Sequence, residues 1–105
     1  MVYEVAGLDD FQKQLKNAGD KLVMVDFTAT WCGPCKQIGP YFVQLAAEYP
    51  NVVFLKVDVD EADDVSASCE IKCMPTFIVY RGGKKVDELS GANRDKLLEM
   101  LKKHM

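Results

Sequence analysis

The sequence predicts an α/β sandwich: a mixed sheet of about five strands with helices on both faces. Three observations carry that expectation. LVMVDFT at 22–28 is apolar on both of its alternating faces apart from Asp26, the pattern of a central strand covered on both sides. A helical stretch and a second apolar strand follow it, which implies a right-handed crossover and a parallel pair. TFIVYR and KKVDELS then flank Gly82-Gly83, a two-residue hairpin signal.

In chain order, a short start at Tyr3–Val5 reads as an edge strand. Leu8, Phe11, Leu15 and Ala18 recur at helical spacing until Gly19-Asp20 stops the helix. After the central strand, Ile38, Phe42, Leu45 and Tyr49 line one face of a helix over 34–49, with Pro40 inside it removing one backbone bond and kinking the axis. VVFLKVDV at 52–59 is the next strand, and Val65 and Cys69 share a face of a short helix. Asn93 caps a last helix that turns Leu97, Leu98 and Leu101 inward.

A chain of 105 residues, 49% of them hydrophobic, supplies one core and no second one, so residues 1–105 read as one domain. Thirteen basic against sixteen acidic side chains leave a net charge of −3, which argues against nucleic acid or anionic membranes as partners. The longest uncharged stretch, Gln37–Ala47, falls short of a bilayer crossing. Glu4, Asp9 and Asp10 occupy the start where a secretory signal would be basic and then apolar, so the expected location is cytoplasmic. Four cysteines, at 32, 35, 69 and 73, are too few for a disulfide scaffold and should begin as thiols.

WCGPC at 31–35 sets two thiols three residues apart where the buried strand gives way to a helix. Free N–H groups and the positive dipole end at a helix start favour an anion, which makes Cys32 the candidate nucleophile. Cys35, a turn further in and expected to be the more buried, is the candidate resolving thiol. Gly33-Pro34 offers neither charge nor a strong donor to stabilise a thiolate, so the pair should give electrons away. Asp26 must lose hydration inside its strand; its pKa should rise, and it can take the proton from Cys35. Lys56 in the neighbouring strand is a charge partner that would oppose the rise. Trp31, beside the dithiol, reads as a surface contact residue.

Other readings are weaker. A zinc site would need Cys69 and Cys73 as its second half, but thirty-three residues separate Cys35 from Cys69 and the second pair is CxxxC, so no metal is expected. Haem attachment fails because Lys36 follows Cys35. Cys69 reads as an inert core thiol, the acidic run Asp58, Asp60, Glu61, Asp63 and Asp64 as a solvated surface that caps a helix, and His104 as a frayed end.

WCGPC, Asp26, Pro40, MPT at 74–76, Gly82-Gly83 and SGAN at 90–93 together resemble the thioredoxin family over essentially the whole chain, and Cys69 and Cys73 resemble those of its animal cytosolic members. The resemblance implies the thioredoxin fold, with Pro75 cis and facing the dithiol. It also implies a groove of Trp31, Gly33, Pro34, Met74, Pro75, Gly91 and Ala92 that holds a substrate strand. The implied function is a protein disulfide reductase without a bound cofactor, whose electrons come from NADPH through thioredoxin reductase and pass to oxidised protein substrates. A redox-gated binding module on the same fold is the alternative; an oxidase or isomerase is disfavoured by Pro34. Cys73, two residues before Pro75, should be exposed, and two copies of a monomer could oxidise through it into a regulatory dimer.

Overall fold

The computed structural model describes residues 1–105. Five strands and four helices follow in the order β1 (Val2–Glu4), α1 (Leu8–Ala18), β2 (Val23–Thr28), α2 (Gly33–Glu48), β3 (Val53–Asp58), α3 (Asp63–Ser68), β4 (Thr76–Arg81), β5 (Lys84–Ser90) and α4 (Arg94–His104). Strand order in the sheet is β1-β3-β2-β4-β5. β3 runs parallel to both β1 and β2, whereas β4 is antiparallel to β2 and to β5. β1 is thus an edge strand, as expected for the short start of the chain, one residue earlier than the expected Tyr3–Val5. It pairs with β3, the later strand, and not with β2, its neighbour in sequence.

Every side chain of β2 is buried, because each face of the sheet carries its own helical layer. Met24, Phe54, Phe77 and Val79 pack with Ile38, Phe42 and Leu45 of α2 and Leu97, Met100 and Leu101 of α4. On the other face Val25, Phe27, Leu55 and Ile78 pack with Phe11 of α1 and Val65 of α3. The α4 stripe differs from expectation: Met100 is buried and Leu98 half-buried, since 97, 100 and 101 share one helical face and 98 lies on its flank. Tyr49, just beyond α2, is likewise half-buried.

Local chemistry terminates the elements. Gly19 stops α1 at φ 59°, and the Asn93 side chain accepts the Lys96 N–H at 2.9 Å to start α4. Gly82 and Gly83, at φ 61° and 78°, make the tight turn between β4 and β5. Beyond it Val79 pairs with Asp87 and Tyr80 with Lys85, leaving Val86 as the extra residue of a bulge. α2 runs unbroken through Pro40. The C-terminal end is not frayed: the His104 ring lies 2.8 Å from Asp87 Oδ2, and Arg81 donates to the His104 and Asp20 carbonyls. Packing against β5 and its charges overrides the tendency of a terminal turn to unwind.

Candidate active site

The site forms where β2 ends. After Thr28 the chain turns through Ala29–Trp31, and Cys32, in extended conformation at φ −94° and ψ 112°, caps α2. Pro34 fits in the first turn because its missing N–H has no acceptor there. Cys32 and Cys35 are joined as a disulfide with their Cα atoms 5.3 Å apart. The Cys35 N–H donates to Cys32 Sγ at 3.2 Å, so the helix start presents a donor to the sulfur that would carry charge.

Both cysteines are covered in this form, Cys32 at 6% exposure and Cys35 at 4%, so the expected difference in exposure is small. The reason lies in the packing: the pair and Ala29 form a small cluster against Val59 and Met74.

Met74–Pro75 is a cis peptide, as the resemblance implies, and the Met74 carbonyl oxygen lies 3.7 Å from Cys32 Sγ. Pro75 is buried, and its carbonyl accepts the Gly91 N–H at 2.9 Å, tying the segment after β5 to the one before β4. Gly91 has φ 101°, a conformation that favours glycine. Gly33, Pro34 and Ala92 are exposed and Met74 half-buried. Trp31 is 66% exposed, and its indole N–H donates to Asp60 Oδ2 at 2.8 Å. Asp58 in turn orders that loop by accepting the Asp60 and Glu61 N–H groups.

Behind the disulfide, Asp26 and Cys35 line one open cleft of about 390 Å³ together with Thr28, Lys36, Lys56 and Asp58. Asp26 is buried and its Oδ1 has no hydrogen-bond partner. Loss of hydration pushes its pKa up to about 7, against a smaller downward pull from Lys56. The Lys56 ammonium is not paired with Asp26; it lies 3.5 Å from Glu4 Oε1.

Cys69 and Cys73 are free thiols. Cys69 is half-buried after α3, its sulfur 3.4 Å from the Tyr80 hydroxyl. Burial and that contact hold the Tyr80 hydroxyl far above its ordinary pKa. Cys73 is exposed, and its carbonyl accepts a 2.7 Å hydrogen bond from Thr76. No group of three or more His, Cys, Asp or Glu side chains is arranged to hold a metal ion. No helix is long and apolar enough to cross a membrane.

The family model described as Thioredoxin matches residues 2–103. The chain belongs to the thioredoxin family. It is 59% identical over 106 residues to thioredoxin of Ictalurus punctatus, with 99% of each chain covered, and 54% identical over 105 residues to that of Ophiophagus hannah, with both chains covered in full. Its structure matches the X-ray structure of Fasciola hepatica thioredoxin with a TM-score of 0.97 at 42% identity, covering 98% of this chain and 99% of that one. The thioredoxin fold and a thiol–disulfide oxidoreductase built on the Cys32–Cys35 pair follow from these likenesses and the geometry together.

Three contacts escaped sequence reasoning: Trp31 with Asp60 and Lys56 with Glu4 around this thioredoxin site, and Cys69 with Tyr80 away from it. Asp60 lies in a run of carboxylates, any of which could have met the indole, and nothing local singles it out.

Proposed function

We propose that this chain is a protein disulfide reductase of the cytoplasm, a single domain over residues 1–105 that works as a monomer. It takes two electrons from a thioredoxin reductase, which draws them from NADPH, and delivers them to oxidised protein substrates. In the first step the Cys32 thiolate attacks one sulfur of the substrate disulfide, forming a mixed disulfide as the other sulfur leaves as a thiolate. Asp26 then accepts the Cys35 proton, Cys35 attacks Cys32 Sγ, and the second substrate sulfur departs as a thiolate that solvent protonates. The dithiol has lost two electrons and the substrate has gained them, leaving the bonded Cys32–Cys35 pair.

The observation that carries this reading is the sulfur at the N-terminus of α2, capped by the Cys35 N–H and facing the Met74 carbonyl. The surface around it suits an extended substrate segment: Trp31, Gly33, Pro34, Gly91 and Ala92 are exposed, and Pro75, next to Met74, is tied to Gly91. With NADPH, reductase and a disulfide-bonded protein, catalytic amounts of the chain should drive continuous NADPH oxidation. Stoichiometric capture of the substrate without turnover would mark a redox-gated binding module instead.

Cys73 serves in this proposal as an oxidation-sensitive brake. Exposed and one residue from Met74, it can bridge two copies groove to groove and cover Trp31. The expected result is a dimer on non-reducing electrophoresis after mild peroxide, with activity falling alongside, and neither change in Cys73→Ser.

A further inference from the structure

Glu4, Lys56 and Asp26 form a row across three adjacent strands. Glu4 of β1 is in register with Lys56 of β3, which is in register with Asp26 of β2. Registered partners point to the same face, and strands lie roughly 4.8 Å apart, so the three side chains share the face covered by α2 and Lys56 stands between two carboxyl groups. Its ammonium ends a flexible four-carbon stem and can turn toward either. It has turned outward: Nζ is 3.5 Å from Glu4 Oε1, while Asp26 makes no ion pair and its Oδ1 has no partner at all.

We propose that Glu4 is a positioning residue for the dithiol chemistry: by holding the Lys56 ammonium at the open edge of the row, it keeps Asp26 unpaired and able to take a proton. This inference rests on the proposed role of Asp26 as acceptor of the Cys35 proton. A carboxylate neutralised by a nearby ammonium is a weak base, because the cation stabilises the charged form that must be given up on protonation. Competition from Glu4 weakens that stabilisation without removing the lysine, whose remaining pull on Asp26 is the smaller effect.

The other groups around Asp26 do not replace this control. α2 presents Cys35 and Lys36 to the shared cleft, β3 presents Asp58 as well as Lys56, and Phe77, the β4 residue in register with Asp26, has nothing to titrate. Glu4 and Lys56 are 74% and 43% exposed in their side chains, so their pair is loose enough for Lys56 to move when Glu4 loses its charge. Glu4 is also an edge residue whose replacement leaves the core untouched.

The test is a titration of the Asp26 carboxyl by carbon NMR in the disulfide form, where neither active-site cysteine ionises, beside the pH profile of mixed-disulfide resolution in single turnovers. Glu4→Gln should lower the Asp26 midpoint by about one pH unit as Lys56 swings inward. Lys56→Met should raise it, and Glu4→Gln added to Lys56→Met should leave it where Lys56→Met puts it. An unchanged midpoint in Glu4→Gln overturns the proposal. So does an equal fall in the Lys56→Met background, because Glu4 would then act through its own charge. A midpoint that moves while the resolution profile stays still upholds the row and refutes Asp26 as the proton acceptor.

Discussion

Cys32 and Cys69 both stand at helix ends, but at opposite ones. Cys32 caps the start of the sixteen-residue α2, where a free N–H donates to its sulfur, and Cys69 caps the end of the six-residue α3, where the helix presents carbonyl oxygens. The first environment favours a thiolate. Each sulfur also has a polar group of the core nearby: Asp26 shares the cleft behind the Cys32–Cys35 pair, and the Tyr80 hydroxyl touches Cys69. A carboxyl titrating near neutrality can exchange protons with a reaction, whereas a phenol held far above its ordinary pKa keeps its proton and only shares a hydrogen bond with the thiol. Two thiols of one small protein thus acquire different chemistry from which helix terminus and which neighbour they meet.

The sharpest break in this comparison is to remove each sulfur. Cys32→Ser should reduce steady-state turnover by at least roughly a thousandfold, the scale on which loss of a covalent nucleophile is felt, and Cys69→Ser should leave it within about twofold. Cys35→Ser should accumulate mixed disulfides with substrate proteins, visible on non-reducing gels, and Cys32→Ser should not.

Changing the polar neighbour has the next largest effect. Asp26→Asn should slow mixed-disulfide resolution roughly a hundredfold in single turnovers, as loss of a general base does. It should also stabilise the fold in a pH-dependent way. Because the folded-state pKa is raised to about 7, the native protein holds a proton that the unfolded chain releases near its ordinary pKa. Wild-type stability therefore falls as pH rises from about 4 to about 7 and is level above that. The advantage of Asp26→Asn in urea unfolding should be near zero at pH 4 and reach about 2–4 kcal/mol at pH 8.

Tyr80→Phe tests the other neighbour. It should lower stability by about 0.5–1.5 kcal/mol and speed alkylation of Cys69, read by mass mapping, without altering turnover. Asp60→Ala sharpens the comparison least: freeing the Trp31 indole should raise KM for a protein substrate about threefold, with kcat unchanged, equivalent to less than about 1 kcal/mol.

Much of this architecture is legible in residue order alone. An apolar β2, the periodic faces of α1 and α2, Gly82-Gly83 between β4 and β5, and the Asn93 cap are local signals, decided by which backbone conformations and burial patterns a short segment can adopt. The same locality makes Cys32 and Cys35 readable, since their spacing and their place at a strand-to-helix junction lie within five residues of sequence from Trp31 to Cys35. Asp26 is readable too, because a carboxylate inside an apolar strand loses its hydration wherever that strand packs.

What the tertiary structure alone decided is which distant residues meet. Placement of β3 between β1 and β2 brings Glu4, Lys56 and Asp26 into one row, and the loop after β3 carries Asp60 to the Trp31 indole, 29 positions away. Packing of α4 along the sheet likewise brings His104 to Asp87, where a terminal turn read by itself would fray. Strand order and register depend on how whole faces of α2, α4 and the sheet fit together, a choice made by many weak contacts at once and written in no single segment.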